Sequence, residues 1–243
     1  SGPPSFASRN IQQDIVALLR KYGVKTITWL IGTHPDADHI GGMQKVILNF
    51  RVIFYLDPHL PKNITLYLDF LRILREKVKR GEIEYRKAEE QKVSLGKSIL
   101  EIFPAPNPPF PDPNDNSIVV RLRYQKWSIL FTGDAERDQE QWLMKNFPSH
   151  RLDSEGLKVG HHGSSSGSTE EFLRVVSPSV VFISCGKNNR YGHPHPSVLE
   201  RLEQVGARIF RTDLLGTIRV RTNGNIVHLF SETTKKRLYS RKL

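Results

Sequence analysis

A buried strand that runs without a break into a crowd of metal-binding side chains leaves a chain few ways to fold. Lys25 to Thr33 is a run of β-branched and apolar residues leading directly into His34-Pro35-Asp36-Ala37-Asp38-His39-Ile40-Gly41-Gly42. Such a run reads as a strand covered on both faces. A strand end is where a rigid sheet presents side chains to a cleft, and four potential ligands (His34, Asp36, Asp38 and His39) follow one another there. In an extended turn His34 and Asp36 point to one side. Asp38 and His39, at the start of the next element, turn to another, so the segment is able to serve two adjacent ions. Gly41-Gly42 removes bulk so that the following helix begins close to them. Any one of these residues alone would read as a cap or a surface group; together at this spacing they point to a metal site.

The remainder of the chain alternates. Asn10 to Tyr22 carries Ile11, Ile15, Leu18, Leu19 and Tyr22 at three- and four-residue spacing with Gly23 as a stop, which predicts a helix. Arg51–Leu56 predicts a second strand. Ile64–Arg80 predicts a helix with Leu66, Phe70, Leu71, Leu74 and Val78 on one stripe, while Arg72, Arg75, Lys77, Lys79 and Arg80 read as its solvated face. Short strands are expected at Ile83–Tyr85, Gln91–Leu95 and Ile99–Phe103, then a loop dense in Pro, Asn and Asp from Ala105 to Asn116. A hairpin of Ile118–Tyr124 and Trp127–Thr132 follows. Helices at Arg137–Phe147, Thr169–Val176 and Ser197–Val205 then alternate with strands at Leu157–Val159, Val180–Cys185 and Arg208–Thr212. Thr217–Arg221 and Ile226–Phe230 form a last hairpin over Asn223-Gly224. Strands in runs with helices between them predict one α/β domain of packed mixed sheets over residues 1–231, ahead of a basic C-terminal tail, 232–243.

Lysine and arginine total 36 against 25 acidic residues, a formal charge of +11, which favours polyanionic partners such as nucleic acid, anionic headgroups or phosphorylated substrates. The single cysteine, Cys185, excludes an internal disulfide framework and a cysteine-based zinc cluster, and reads as a small buried hydrophobe. Trp29, Trp127 and Trp142 read as core. No stretch approaches the roughly eighteen apolar residues of a membrane span, and Ser1 to Asn10 lacks the features of a signal peptide.

The segment from His34 to His39 resembles the His-x-His-x-Asp-His signature of the metallo-β-lactamase superfamily, with Asp36 in place of the second His. Leu130-Phe131-Thr132-Gly133-Asp134-Ala135-Glu136 resembles the strand-end Gly-Asp of that fold. Three more segments, Asn116–Val119, Leu157–Ser164 with its His161-His162, and Asn188–Pro194 with its His193, are similar to the metallo-β-lactamase-like domain of the ComEC family of DNA-uptake competence proteins. The resemblance covers essentially the whole chain and implies a four-layer αββα sandwich. Its first N-terminal strands are in question, because family domains open with two strands and an Asp-x-Gly turn, whereas this chain starts at Ser1-Gly2-Pro3, as though just after that Asp.

The resemblance also implies two divalent ions, Zn²⁺ or Mn²⁺, held by His34, Asp36, Asp38, His39, Asp134 and His161, with Asp134 bridging them. Asp38, His162 and His193 are the catalytic candidates. His161 and His162 are not separable at this point: one is expected as a ligand, its neighbour as the group that protonates the leaving oxygen or contacts phosphate. His193 reads as a ligand, as a substrate-contacting acid, or as a plain loop histidine. The superfamily's further His before the Gly-Asp has no counterpart, since His59 stands in the wrong place; Asp115, Asn116 and Ser117 offer oxygen instead, which suits Mn²⁺ or Mg²⁺. Gly163–Gly167 reads as a phosphate cradle or a flexible linker, Arg219 and Arg221 as candidate phosphate contacts, and the last basic residues as a disordered, solubilising tail. The implied function is a metal-dependent nuclease or phosphodiesterase that degrades DNA during uptake. A small-molecule hydrolase of lactam, lactone or thioester and a non-catalytic DNA-binding module are the alternatives. ComEC proteins also carry a membrane channel, which is then a partner or parent; an extracytoplasmic or membrane-associated setting follows for an excised domain, a soluble one otherwise.

Overall fold

The computed structural model describes residues 8–243, with side chains from Ile15 onward; the start at Ser1-Gly2-Pro3 and the side chain of Ile11 lie outside the described residues. The chain divides into two compact units, Ser1–Ala88 and Glu89–Leu243.

The first unit opens with helix α1 (Ser8–Lys21), which stops at Gly23, where φ is +68°. Strand β1 (Thr26–Ile31), the short helices α2 (Ala37–Ile40) and α3 (Met43–Asn49), β2 (Arg51–Asp57), α4 (Thr65–Lys79) and β3 (Glu84–Lys87) follow. The three strands pair in the order β1-β2-β3, all parallel. Parallel neighbours need a crossover, and α3 and α4 supply it. Both lie on the sheet through Met43, Val46, Ile47, Tyr67, Phe70 and Leu74, which meet Val52, Tyr55 and Ile83 in one core. Burying each such side chain contributes about 1.5–3 kcal/mol. The outer face of α4 is solvated as expected: Arg72 pairs with Asp69 and Lys79 with Glu76.

The second unit holds a seven-stranded sheet in the order β10-β9-β8-β7-β6-β5-β4. Its strands are β4 (Gln91–Leu95), β5 (Ser98–Phe103), β6 (Val119–Tyr124), β7 (Trp127–Phe131), β8 (Gly156–Lys158), β9 (Val180–Ile183) and β10 (Arg208–Arg211). From β4 to β7 neighbours are antiparallel; from β7 to β10 they are parallel. Helices α5 (Arg137–Asn146), α6 (Ser149–Leu152), α7 (Glu170–Val176) and α8 (Pro196–Gln204) connect them. Leu143, Leu152, Phe172, Val198 and Leu202 pack on Leu130, Leu157, Val181 and Ile183.

After α9 (Thr212–Leu215), strands β11 (Ile218–Thr222), β12 (Ile226–Ser231) and β13 (Arg237–Lys242) form a third, antiparallel sheet. The last of these corrects the expectation of a disordered tail: Arg237–Lys242 pairs with β12, because Leu238 and Tyr239 join the core formed by Trp127, Val180, Phe210, Val227 and Leu229. Trp127 is buried and Trp142 packs against the main core, as read. Cys185 is half-buried rather than sealed in apolar surroundings. Its thiol lies 3.2 Å from Asp213, and burial followed by that carboxylate pushes it up to about 11.

Candidate functional site

In the first unit the ligand-rich segment leaves β1 through Gly32. A Cβ there would sit 2.8 Å from the Tyr55 hydroxyl, so only glycine lets strand and ring approach this closely. Asp36 takes the N-cap position of α2 in extended conformation, and its carbonyl accepts from His39 and Ile40. This turn folds the segment back on itself and brings His34 and His39 to a ring separation of 4.0 Å. The hydroxyl of Thr33 lies 3.2 Å from Nδ1 of His34 and 3.1 Å from Nδ1 of His39. A hydroxyl oxygen accepts twice but donates once. When Thr33 accepts from both rings, both carry their proton on Nδ1 and present the Nε2 lone pair, the form a metal needs. Asp38 lies beside His39, Oδ2 to Nε2 3.6 Å. The fourth candidate, Asp36, has its carboxylate ion-paired with Lys62.

Behind His34 the end of β2 carries a buried carboxylate. Asp57 accepts from the His59 amide and from the Tyr85 hydroxyl, each at 2.9 Å, and the His59 ring meets that same hydroxyl at 2.9 Å. Burial, followed by the Asp57 charge, raises the phenols of Tyr55 and Tyr85 well above their ordinary range and pushes Tyr67 up to about 12. His59 thus belongs to a tyrosine–carboxylate cluster.

In the second unit three adjacent parallel strands deliver the remaining candidates from their carboxyl ends, where open α/β sheets place their ligands. Strand β7 ends on Thr132-Gly133-Asp134, β8 on Gly160-His161-His162-Gly163, and β9 on the loop that carries His193. Asp134 is 2% exposed. Its amide donates to the Ser117 hydroxyl at 3.0 Å, and Lys158 lies 3.3 Å from Oδ1. His161 and His162 both adopt left-handed backbone, φ +39° and +55°, which costs on the order of 1–3 kcal/mol per residue and is held by its surroundings. Nδ1 of His162 lies 2.6 Å from the Ser184 carbonyl, which only accepts, so this nitrogen carries the proton and Nε2 the lone pair. That Nε2 stands 3.5 Å from Oδ2 of Asp134. His161 Nδ1 is anchored on Glu136, which also accepts from Ser166. Burial alone would raise the Glu136 carboxyl, but the hydrogen bonds from His161 and Ser166 outweigh it and hold it low. His193 lies 5.7 Å from His161, ring to ring, and its imidazolium is disfavoured, first by burial and then by His161 and His162.

Two donors bound at about 2.1 Å to one tetrahedral ion lie about 3.4 Å apart. The pairs His39–Asp38 and His162–Asp134, at 3.6 and 3.5 Å, are spaced to that length, longer than a good hydrogen bond. Each of the two rings also has its other nitrogen fixed by an oxygen, the usual support of a metal-binding imidazole. The residues present therefore fit a divalent cation.

The oxygen donors expected from Asp115, Asn116 and Ser117 have other work. Asn116 bonds the amide and carbonyl of Phe110 and the carbonyl of Asp112. Asp115 accepts from the amides of Glu136 and Gln139 and so caps α5, while Ser117 holds Asp134. All three are scaffolding for the Asp134 turn. The segment Gly163–Gly167 is no flexible linker: Ser164 and Ser166 bond each other, and Arg201 holds the carbonyls of Ser165, Gly167 and Ser168. Sequence reasoning missed Thr33, Glu136, Lys158 and the Ser184 carbonyl. Glu136, two residues after Asp134 in a quoted motif, was findable; a backbone carbonyl leaves no trace in sequence.

The class is settled at this point: the chain belongs to the metallo-beta-lactamase superfamily, whose family model matches residues 1–187. Its relatives include ComE operon protein 3 of Bacillus subtilis, 36% identical over 87% of this chain and 27% of the relative. They also include Competence protein ComA of Neisseria gonorrhoeae, 29% identical over 86% of this chain and 27% of the relative. Recombination protein 2 of Haemophilus influenzae is 28% identical over 85% of this chain and 24% of its own length. The chain thus spans about a quarter of these relatives. Among the described residues no helix is long and apolar enough to cross a membrane.

Proposed function

We propose that this chain is a metal-dependent phosphodiesterase that cleaves DNA, working with two divalent ions, Zn²⁺ or Mn²⁺. The observation that carries the reading is the pair His162–Asp134, held at ligand spacing by the Ser184 carbonyl on one side and Ser117 on the other. The candidate ligands that the resemblance implies are His34, Asp36, Asp38, His39, Asp134 and His161, with His162 added. His162 joins them because its Nδ1 is anchored as firmly as that of His161. The ions, when bound, supply Lewis acidity toward the phosphate and an activated water. The chain's own groups then divide the remaining tasks. Glu136 and Thr33 fix the tautomers of the imidazoles they touch, Lys158 balances the charge of Asp134, and His193, kept neutral, takes the proton that the attacking water releases and passes it to the leaving oxygen. The net charge of +11 and the resemblance to DNA-uptake competence proteins favour DNA over a lactam or thioester. The test is cleavage of single- and double-stranded DNA and of bis-p-nitrophenyl phosphate with Mn²⁺ or Zn²⁺, beside metal content by mass spectrometry. Metal-dependent cleavage supports the reading; bound metal with no phosphodiester cleaved, or hydrolysis of a lactam or thioester alone, overturns it.

A further inference from the structure

The third sheet has two unlike faces. Residues opposite one another in register share a face. Arg219 pairs with Phe230 and Arg221 with His228 across β11 and β12; Phe230 pairs with Arg237, His228 with Ser240 and Ile226 with Lys242 across β12 and β13. The opposite face carries Val220, Val227, Leu229 and Tyr239 and belongs to the core. The outward face therefore gathers Arg219, Arg221, Arg237 and Lys242 around His228 and Phe230. Arg221, Arg237 and Lys242 are exposed, and among the described residues no carboxylate pairs with any of them. Arg219 is neutralised by Glu232 at 2.9 Å, an acid that also reaches Lys235 at 3.5 Å.

Arg237 and Lys242 stand four register positions apart on β13, about 13.6 Å, and Arg221 lies two strands away, about 9.6 Å across, level with the middle of that interval, so three exposed cations are spread over one face. A repeating anion satisfies such a spread. A lipid surface fits it poorly, because stable adsorption needs large apolar side chains to enter the headgroup boundary. None of the exposed large apolar side chains lies on this face, and Phe230 is half-buried with the Arg219 guanidinium 5.0 Å over its ring. A nucleic-acid backbone offers spaced phosphates and asks for no insertion.

We propose that the outward face of β11–β13 is a nucleic-acid backbone-binding surface in which Arg221, Arg237 and Lys242 contact phosphates. It deepens the reading above by naming where the polymer is gripped, and takes only its purpose from that reading. The experiment is fluorescence anisotropy of a labelled oligonucleotide, single-stranded and duplex, against the full chain between about 50 and 200 mM salt. Every protein carries Asp134→Asn so that binding is read without cutting. Replacing Arg221, Arg237 and Lys242 together by Gln is expected to weaken binding about tenfold or more and to lower the slope of log affinity against log salt by about 2–3. A charge-matched control, Arg72→Gln with Arg75→Gln and Lys79→Gln on α4, is expected to change affinity less than about threefold. Thermal melting checks that both variants fold. Should the triple variant melt early, Arg221→Gln and Lys242→Gln singly must each weaken binding about twofold or more. Unchanged affinity, equal losses in face and control variants, or lost binding to phosphatidylglycerol vesicles with DNA binding retained overturns the proposal. If the protein with native Asp134 cleaves no phosphodiester while the face variant loses DNA, the catalytic reading fails and the surface stands.

Discussion

The two clusters solve one problem in different ways. In the first unit a single stretch, Thr33 to His39, supplies two imidazoles, two carboxylates and the hydroxyl that aligns both rings. In the second, Asp134, His161-His162 and His193 come from three strand ends; Asp134, His162 and His161 are held by groups far away in sequence, Ser117, Ser184 and Glu136, and only His193 is held locally, by Asn189. The contiguous cluster needs only a local turn. The dispersed one relies on the register of parallel strands and tolerates a strained left-handed turn at its centre. Local clusters are therefore robust to changes elsewhere, while dispersed ones inherit the stability of their sheet.

The largest contrast is expected from single carboxylates. Asp134→Asn should bring metal-dependent hydrolysis to background and lower metal content, with the melting temperature nearly kept. Asp36→Asn should lose much less, since that carboxylate is engaged by Lys62. Equal losses in kcat/KM would mean that Asp36 is as essential a ligand as Asp134.

Next come the groups that hold the rings. Thr33→Val removes the shared acceptor from two histidines at once, whereas Glu136→Gln weakens only His161. Each is expected to cost about 10–100-fold in metal affinity, read by competition with a chromogenic chelator, with Thr33→Val the larger. The reverse order would place the tighter ion on the dispersed side.

Backbone positions give a smaller, structural test. Gly163 has φ +86°, and a Cβ there would lie 2.7 Å from the Pro194 side chain; a Cβ at Gly32 would lie 2.8 Å from the Tyr55 hydroxyl and in ordinary contact with Met43 at 3.6 Å. Gly163→Ala should cost about 2–3 kcal/mol in denaturant unfolding and Gly32→Ala about 1–2 kcal/mol.

The smallest effect is a pH dependence confined to the second unit. Glu140 accepts from the Ser168 and Thr169 amides and the Thr169 hydroxyl, yet complete burial pushes it from 4.5 up to about 7. A carboxyl whose folded value is raised binds its proton more tightly when folded, so its contribution is full below pH 4.5 and is lost as pH rises through about 7. The stability of the native protein relative to Glu140→Gln should therefore fall across that window. A flat difference would mean that its three donors keep Glu140 ionised throughout.

Much of this was legible beforehand because the cues are local. The 3.6-residue stripe through Phe70 and Leu74, the Asn223-Gly224 hairpin and the turn that follows β1 at His34–His39 each act within a few residues, and each element stands where it was read. The division after Ala88 has no such cue: no Gly/Ser linker marks it, and the charged residues around it continue those of 72–82. The oxygen ligands inferred from Asp115, Asn116 and Ser117 failed for the same reason: a side chain's type says what it is able to bond, and its neighbours say what it does bond.

Periodicity, turn residues and ligand-bearing motifs established the elements, the superfamily and the chemistry on offer, since these depend on covalent geometry and short-range sterics. Strand register and burial settled the tautomers at His162, the capping duty of Asp115, the pairing of Arg237–Lys242 with β12, and the gathering of cations on one face of the last sheet. Those outcomes rest on contacts between residues remote along the chain, whose energies exist only once the core has brought them together.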